Sequence, residues 1–373
     1  MKKSVKRTMP LWVKWCFCIL PLLIAVILYF LLPHIPVFTE YAITQGIFRV
    51  ISLPLNAIIS IFPFSVTEIV VLLALPSILT LLGIFIYRLI KCDDHHKIVE
   101  KAARFVCWCL SIAALMYMLM HGAHYHRLSV GELMQLQDNS YDASFLTDVT
   151  IDLAKKASAA REQVAEDENG CMILSQSITD TLKEADDGYA VLRSKYPFLL
   201  SGTWRAKPVM LSHYWSYTGI TGIYCPWLGE SNVNVDVPHS GIPQTAAHEV
   251  AHTMGFARED ACNFLSFLGC INSENVDYQY AGYLTAYIYC SNALYQYDQT
   301  TWRQAFSHCS AGVVRDLKQR NAYWDQFKGE IMDTAEELND AFIKGNGVES
   351  GVLNYNEMVS LVLRYYDTHS LIG

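Results

Sequence analysis

Three long apolar runs set the first limit on what this chain can fold into: residues 11–32, 69–87 and 105–120. Crossing a bilayer takes about 20 apolar residues at helical rise, because every backbone polar group must then be satisfied within its own helix. The 373-residue chain is therefore expected to divide into a membrane region of three transmembrane helices, residues 1–122, and a second region, residues 123–373. Lys2, Lys3, Lys6 and Arg7 precede the first run as they would a signal peptide. Its apolar part is too long for one and no small-residue cleavage site follows, so it reads as an uncleaved anchor. Residues 50–64 are also apolar, but the run is short, broken by Pro54 and Pro63 and preceded by Arg49. It reads as a helix lying on the outer membrane interface.

Basic residues orient the spans. Arg88, Lys91, Lys97, Lys101 and Arg104 crowd the loop between the second and third runs, whereas residues 33–65 hold only Arg49. Positive loops stay inside, so the N-terminus and that loop are expected in the cytoplasm and residues 123–373 outside it. The formal net charge of −8 is spread without a basic stripe, which excludes nucleic acid as a partner and leaves the lipid bilayer as the evident one. Cys171, Cys225, Cys262, Cys270, Cys290 and Cys309 form an even set after the third run, compatible with disulfides in an oxidising compartment or with buried thiols.

The second region reads as an α+β domain, mainly helical, with a small sheet. Helical periodicity covers 143–164, 173–195, 276–297, 311–343 and 354–366. Short segments at 209–214, 222–225 and 231–237, bounded by Gly and Pro, read as strands, the last as an edge strand.

Within this region His248, Glu249 and His252 form an HExxH pattern. On a helix, positions i and i+4 share one face, so two imidazoles can reach one Zn2+ while Glu249 stands ready as general base. Gly255 turns the chain after the motif and a second helix begins near Arg258, returning Glu259 as the third ligand. Asp260 is the first alternative, followed by His239, His213 and His308. Asn263, four residues after Glu259, suits a hydrogen bond that orients a ligand histidine. Tyr278, Tyr280, Tyr283 and Tyr287 are candidates for an oxyanion donor.

Arg258 stands where a metzincin would carry its third histidine, which excludes that group. The Glu259-Asp-Ala-Cys-Asn263 segment is similar to the Glu-x-x-x-Asp/Asn element of gluzincin peptidases, in which the glutamate binds zinc. More broadly, Phe62-Pro-Phe-Ser65, Tyr125-His-Arg127 and His248-Glu-Val-Ala-His-Thr-Met-Gly-Phe-Ala-Arg-Glu-Asp260 resemble the bacterial domain-of-unknown-function 3810 family. Ala261 and Cys262 stand where that family has a Glu-Ala pair, while Glu259 and Asn263 match it. The resemblance implies a zincin-like, membrane-anchored metallopeptidase acting on a peptide or protein substrate. The alternative is a non-catalytic membrane receptor or assembly factor that keeps the same fold.

Overall fold

The computed structural model describes residues 9–348 and 355–372, so Lys2, Lys3, Lys6, Arg7, Asn354 and Gly373 lie outside the described part. The described chain is mostly helical, with two small sheets and an apolar helical N-terminal region. Helices α1 (Leu11–Leu31), α2 (Arg49–Ile59), α3 (Val66–Lys91) and α4 (His95–Met120) form that region. A π-helical stretch, Thr39–Phe48, leads into α2.

By length and composition, four helical stretches among the described residues suffice to cross a membrane: Leu11–His34, Pro36–Ile59, Val66–Lys91 and His95–His126. The second carries a polar buried face. Along it the Glu40 carboxylate pairs with the Arg127 guanidinium (2.7 Å), and the Thr44 hydroxyl meets His124 Nδ1 (3.0 Å). The Gln45 amide donates to the Phe198 carbonyl (3.0 Å) and the Asn56 amide to that of Gly229 (3.1 Å). Tyr41, Val50 and Ile58 on its other side are exposed. The helix expected over 50–64 thus begins earlier and ends at Ile59, with Pro54 inside it. Contacts along its length outweigh the proline's local preference.

After the membrane region, α5 (Ala143–Arg161) forms as expected. The helix expected over 173–195 is broken. Met172–Ile173 pairs antiparallel with Ala165–Glu166, and Ser177 then caps a new helix, Ile178–Lys183, by accepting the Asp180 N–H. A further helix, Asp187–Arg193, follows.

The main sheet contains β1 (Ala206–Pro208), β2 (Gly222–Cys225) and β3 (Glu230–Val233) in the order β1-β3-β2. Strand β3 runs parallel to β1 and antiparallel to β2, so the segment expected at the edge is the central strand and β2 is an edge. The strand expected over 209–214 gives way to a helix, Ser212–Ser216, because Met210 and Leu211 direct their N–H groups to the Glu68 carboxylate (2.9 and 2.8 Å) rather than to a sheet.

Helices α6 (Ile242–Thr253), α7 (Glu259–Ile271) and α8 (Val276–Tyr297) form the centre, with α8 packed on α5, α6 and α7. The stretch expected as one helix over 311–343 divides into α9 (Ala311–Asp325) and α10 (Glu330–Gly345), since Gly329 adopts φ +154°, a backbone state open in practice only to glycine. Helix α11 (Tyr355–Thr368) packs against α7 and α8. Phe48 and Met120 belong to the same hydrophobic core as Val250, Phe264 and Leu284. All eleven cysteines are unpaired, so no disulfide forms; Cys270 and Cys290 fill helix interfaces as small apolar side chains, while Cys262 Sγ lies 3.3 Å from His252 Nδ1 and 3.5 Å from the Phe256 carbonyl.

Candidate metal centre

Helix α6 opens with Pro243 in its first turn and buries Ala246, Ala247, Val250 and Ala251, the small face that lets it lie close to its neighbours. His248 and His252 share the next face, with ring centroids 4.9 Å apart. Gly255 then turns the chain at φ +85°. A Cβ there would meet the Phe48 ring at 2.9 Å and Thr44 Cγ2 at 3.1 Å, so conformation and space both require glycine. Arg258 occupies the N-cap position of α7, whose first residue is Glu259.

This turn brings the Glu259 carboxylate onto both imidazoles. Its Oε2 lies 3.1 Å from His248 Nε2 and its Oε1 3.7 Å from His252 Nε2. The opposite ring nitrogens face oxygen acceptors: His252 Nδ1 meets the Phe256 carbonyl (2.8 Å) and His248 Nδ1 meets Asn263 Oδ1 (2.9 Å). An Nδ1–H that donates leaves Nε2 with its lone pair. Two such lone pairs and a carboxylate converging on one point repel unless a proton or a cation lies between them. The donor set of two imidazoles and a carboxylate suits zinc.

Ligand atoms of His248, Glu249 and His252 also lie within 4.8 Å of one another, so proximity alone does not separate the two glutamates. Direction does. Each oxygen of Glu259 faces an Nε2, whereas Glu249 is buried and its Oε2 has no hydrogen-bond partner. Gly222 makes room for it, because a Cβ on Gly222 would stand 2.4 Å from Glu249 Oε1.

The charges follow the same division. Burial pushes the Glu249 carboxyl up to about 8, with the Glu259 charge adding to it. Burial also opposes charge on Glu259, yet the hydrogen bond and charge of His248, then His252, outweigh it and hold that carboxyl down to about 2. Burial takes His252 down to about 4. For His248 burial is outweighed by Glu259, and the imidazole is raised. The His248–Glu259 contact thus favours positive charge at the point where a cation would sit.

The other sequence candidates lie elsewhere or are otherwise engaged. Asp260 lines the cavity but pairs with Arg258 Nε (3.2 Å). His213 pairs with Asp236 (2.9 Å), and His239 Nδ1 accepts the Leu174 N–H (3.1 Å). Neither they nor His308 line the cavity. The proposed oxyanion tyrosines are also displaced: Tyr278 donates to the Thr181 carbonyl and Tyr280 to Asp316, each at 2.6 Å, while Tyr283 and Tyr287 pack within the helices. Helical periodicity had put them on one helix without saying which face met the site.

The cavity itself, about 820 Å³, is walled instead by Tyr117, His121, Tyr125 and Tyr224, with Phe342 of α10. The His121 ring centroid is 5.8 Å from that of His252, and the Tyr224 ring stacks on His252 at 6.1 Å. His121, just before the expected boundary after residue 122, is not among the sequence candidates. The i, i+4 spacing of His121 and Tyr125, whose rings meet edge to face at 5.4 Å, was the available signal.

Fold and site together define a helical protein with an apolar N-terminal region and an HExxH helix whose histidines face a returning glutamate. The chain belongs to the family described as a protein of unknown function (DUF3810), whose model matches residues 43–363. That span takes in α2, α3, α4, the sheet and every residue of the centre. No curated protein and no solved structure matches the chain.

Proposed function

We propose that the chain is a membrane-anchored, zinc-dependent peptidase of zincin type, with residues 123–373 outside the cytoplasm. The observation that carries this reading is the approach of both Glu259 oxygens to His248 Nε2 and His252 Nε2 while the two Nδ1 atoms face acceptors. Zinc held by these three side chains would supply Lewis acidity, polarising the scissile carbonyl and making water a better nucleophile. Glu249 Oε2, free of other partners, accepts the proton of the attacking water and delivers it to the leaving nitrogen. A dication beside it favours its carboxylate form against the effect of burial. Asn263 and the Phe256 carbonyl hold the imidazoles in register. The β2 edge, which passes Glu249 at Gly222, offers backbone groups to an extended substrate.

The orientation draws support from helix polarity. Val66 at the start of α3 and Met120 at the end of α4 lie on the side of the catalytic region, and Arg88 to Arg104 lie at the opposite ends. The Pro36–Ile59 stretch, bound to that region along its length, reads as the interfacial element and the other three stretches as spans.

Metal analysis of the purified full-length protein tests the reading. About one zinc per chain is expected in wild type and in Glu249→Gln, and none in His248→Ala. Glu249→Gln should abolish peptide hydrolysis without loss of metal. Equal metal content in wild type and His248→Ala would remove the basis of the mechanism.

A further inference from the structure

Two features fix the height of the centre relative to the apolar helices. Helix α4 ends at Met120, and the next residue, His121, already stands in the cavity wall beside His252. Tyr117, one turn earlier, lines the same cavity. The second feature is β2. It starts at Gly222, against Glu249, and ends at Cys225, whose carbonyl accepts the Leu228 N–H (3.2 Å) in the following turn. That turn lays Trp227 on α4, its Nε1 donating to the Ala113 carbonyl (3.0 Å). Ala113 precedes Met120 by roughly 10 Å of helical rise, so the indole reaches well down the flank of the apolar helix. Asn56 of α2 holds the Gly229 carbonyl of the same turn, and the Glu230 carboxylate takes the Val66 and Thr67 N–H groups at the start of α3. Three elements of the apolar region thus meet at one turn of the sheet.

Trp227 remains 49% exposed with its N–H satisfied, and its ring is 6.3 Å from that of Tyr117, which in turn lies 6.2 Å from Phe342. An amphipathic aromatic rim of this kind suits the headgroup level of a bilayer. Helix α10 crosses the cavity and is pinned to the apolar helices, Tyr29 donating to the Gly345 carbonyl and Tyr117 to Asn346 Oδ1 (each 2.8 Å). From Cys225 to Gly222 is three strand steps, roughly 10 Å. The edge strand therefore leads from the bilayer flank of α4 to the catalytic glutamate.

We propose that the substrates are polypeptides themselves anchored in the bilayer, cut in the few residues next to their anchor, which enter over Trp227 and lie along Gly222–Cys225. This inference rests on the peptidase reading above. Its test uses full-length, zinc-loaded protein in liposomes and a degenerate decapeptide library in three forms. One is fused directly to a Leu/Ala transmembrane helix, one is set off from that helix by a 30-residue Gly/Ser linker, and one is free in solution.

Cleavage, located by mass spectrometry and absent in Glu249→Gln, is expected in the direct fusion at least tenfold faster than in the other two. Equal cleavage of the spaced or free library would overturn the substrate class and leave the peptidase reading standing. No Glu249-dependent cleavage of any form, with zinc bound, would overturn both. A readout independent of activity is a photoreactive benzoylphenylalanine at Trp227, which should form adducts with lipid acyl chains, whereas the same group at exposed Tyr297 should not. Absence of a lipid adduct at Trp227 would overturn the membrane-level entry.

Discussion

Asn263 does for His248 what a backbone carbonyl does for His252: it accepts the Nδ1 proton and so aims Nε2 at Glu259. Asn263→Ala is expected to weaken zinc binding roughly 10- to 100-fold, the usual effect of removing a partner behind a metal ligand, while leaving the fold intact. Asn263→Asp, which keeps an acceptor, should restore most of it. Competition with a chromogenic chelator measures both, and wild-type affinity in the alanine variant would deny Asn263 this role. Gly222 acts by absence of a side chain. In Gly222→Ala the added Cβ would lie 2.4 Å from Oε1 and 2.7 Å from Cγ of a glutamate that is only 3% exposed, so the carboxylate must move. Turnover should fall by about two orders of magnitude with zinc content unchanged, as expected for loss of a positioned general base. Unchanged turnover would mean that the close approach of β2 to Glu249 has no catalytic consequence. Of these residues, His248, Glu249, His252, Glu259 and Asn263 are the sequence candidates that the structure brings together, since helix spacing relates His248 to His252 and Glu259 to Asn263 and the Gly255 turn joins the two helices. Gly222 reaches the site by long-range folding that no local pattern records, and for His121 the sequence offers only the i, i+4 spacing from Tyr125.

At the scale of elements, the Gly255 turn joins α6 to the Thr39–Ile59 segment. The Arg127 guanidinium pairs with Glu40, donates to the Gly255 carbonyl (2.7 Å) and lies over the Phe256 ring at 4.0 Å, so one buried cation fixes the turn that supplies the His252 acceptor. Removing one member of a buried ion pair strands the other, at a cost of about 3–5 kcal/mol. Glu40→Ala and Arg127→Ala should each destabilise the protein by about that amount in detergent unfolding assays, and a loss below about 1 kcal/mol would show that the pair is solvated in solution. Helix α8 was legible at 276–297, where helical periodicity spans the whole segment. Sheet order was not, since whether a strand is central or at an edge depends on partners distant in sequence. The broken helices failed for a related reason. Ser177 and Gly329 interrupt otherwise helical composition, and their effect depends on caps and backbone angles more than on period.

For the whole molecule, the apolar region is part of the structure that holds the candidate centre. Phe48 and Met120 lie in the common core, Glu40 neutralises Arg127, Ser65 donates to Asn232 (2.6 Å), and Trp227 rests on Ala113. The boundary between 122 and 123, natural from hydropathy, cuts through these contacts. A reporter placed near Asp94 is expected in the cytoplasm and one after Gly373 outside it, and protection of the C-terminal region from protease in intact spheroplasts would reverse that orientation. The same contacts govern dissection. A fragment beginning at His121 loses Phe48, a fully buried aromatic whose removal alone costs about 3–5 kcal/mol, and leaves Arg127 without its carboxylate. Those losses together rival the 5–15 kcal/mol that holds a typical domain folded. The fragment should therefore be insoluble or molten, with little near-ultraviolet circular dichroism and no stoichiometric zinc, while the full chain in detergent unfolds cooperatively. A soluble, cooperatively folding fragment that binds one zinc would mean that the N-terminal helices only tether the centre, and the contacts through Glu40, Phe48 and Trp227 would then be dispensable for its shape.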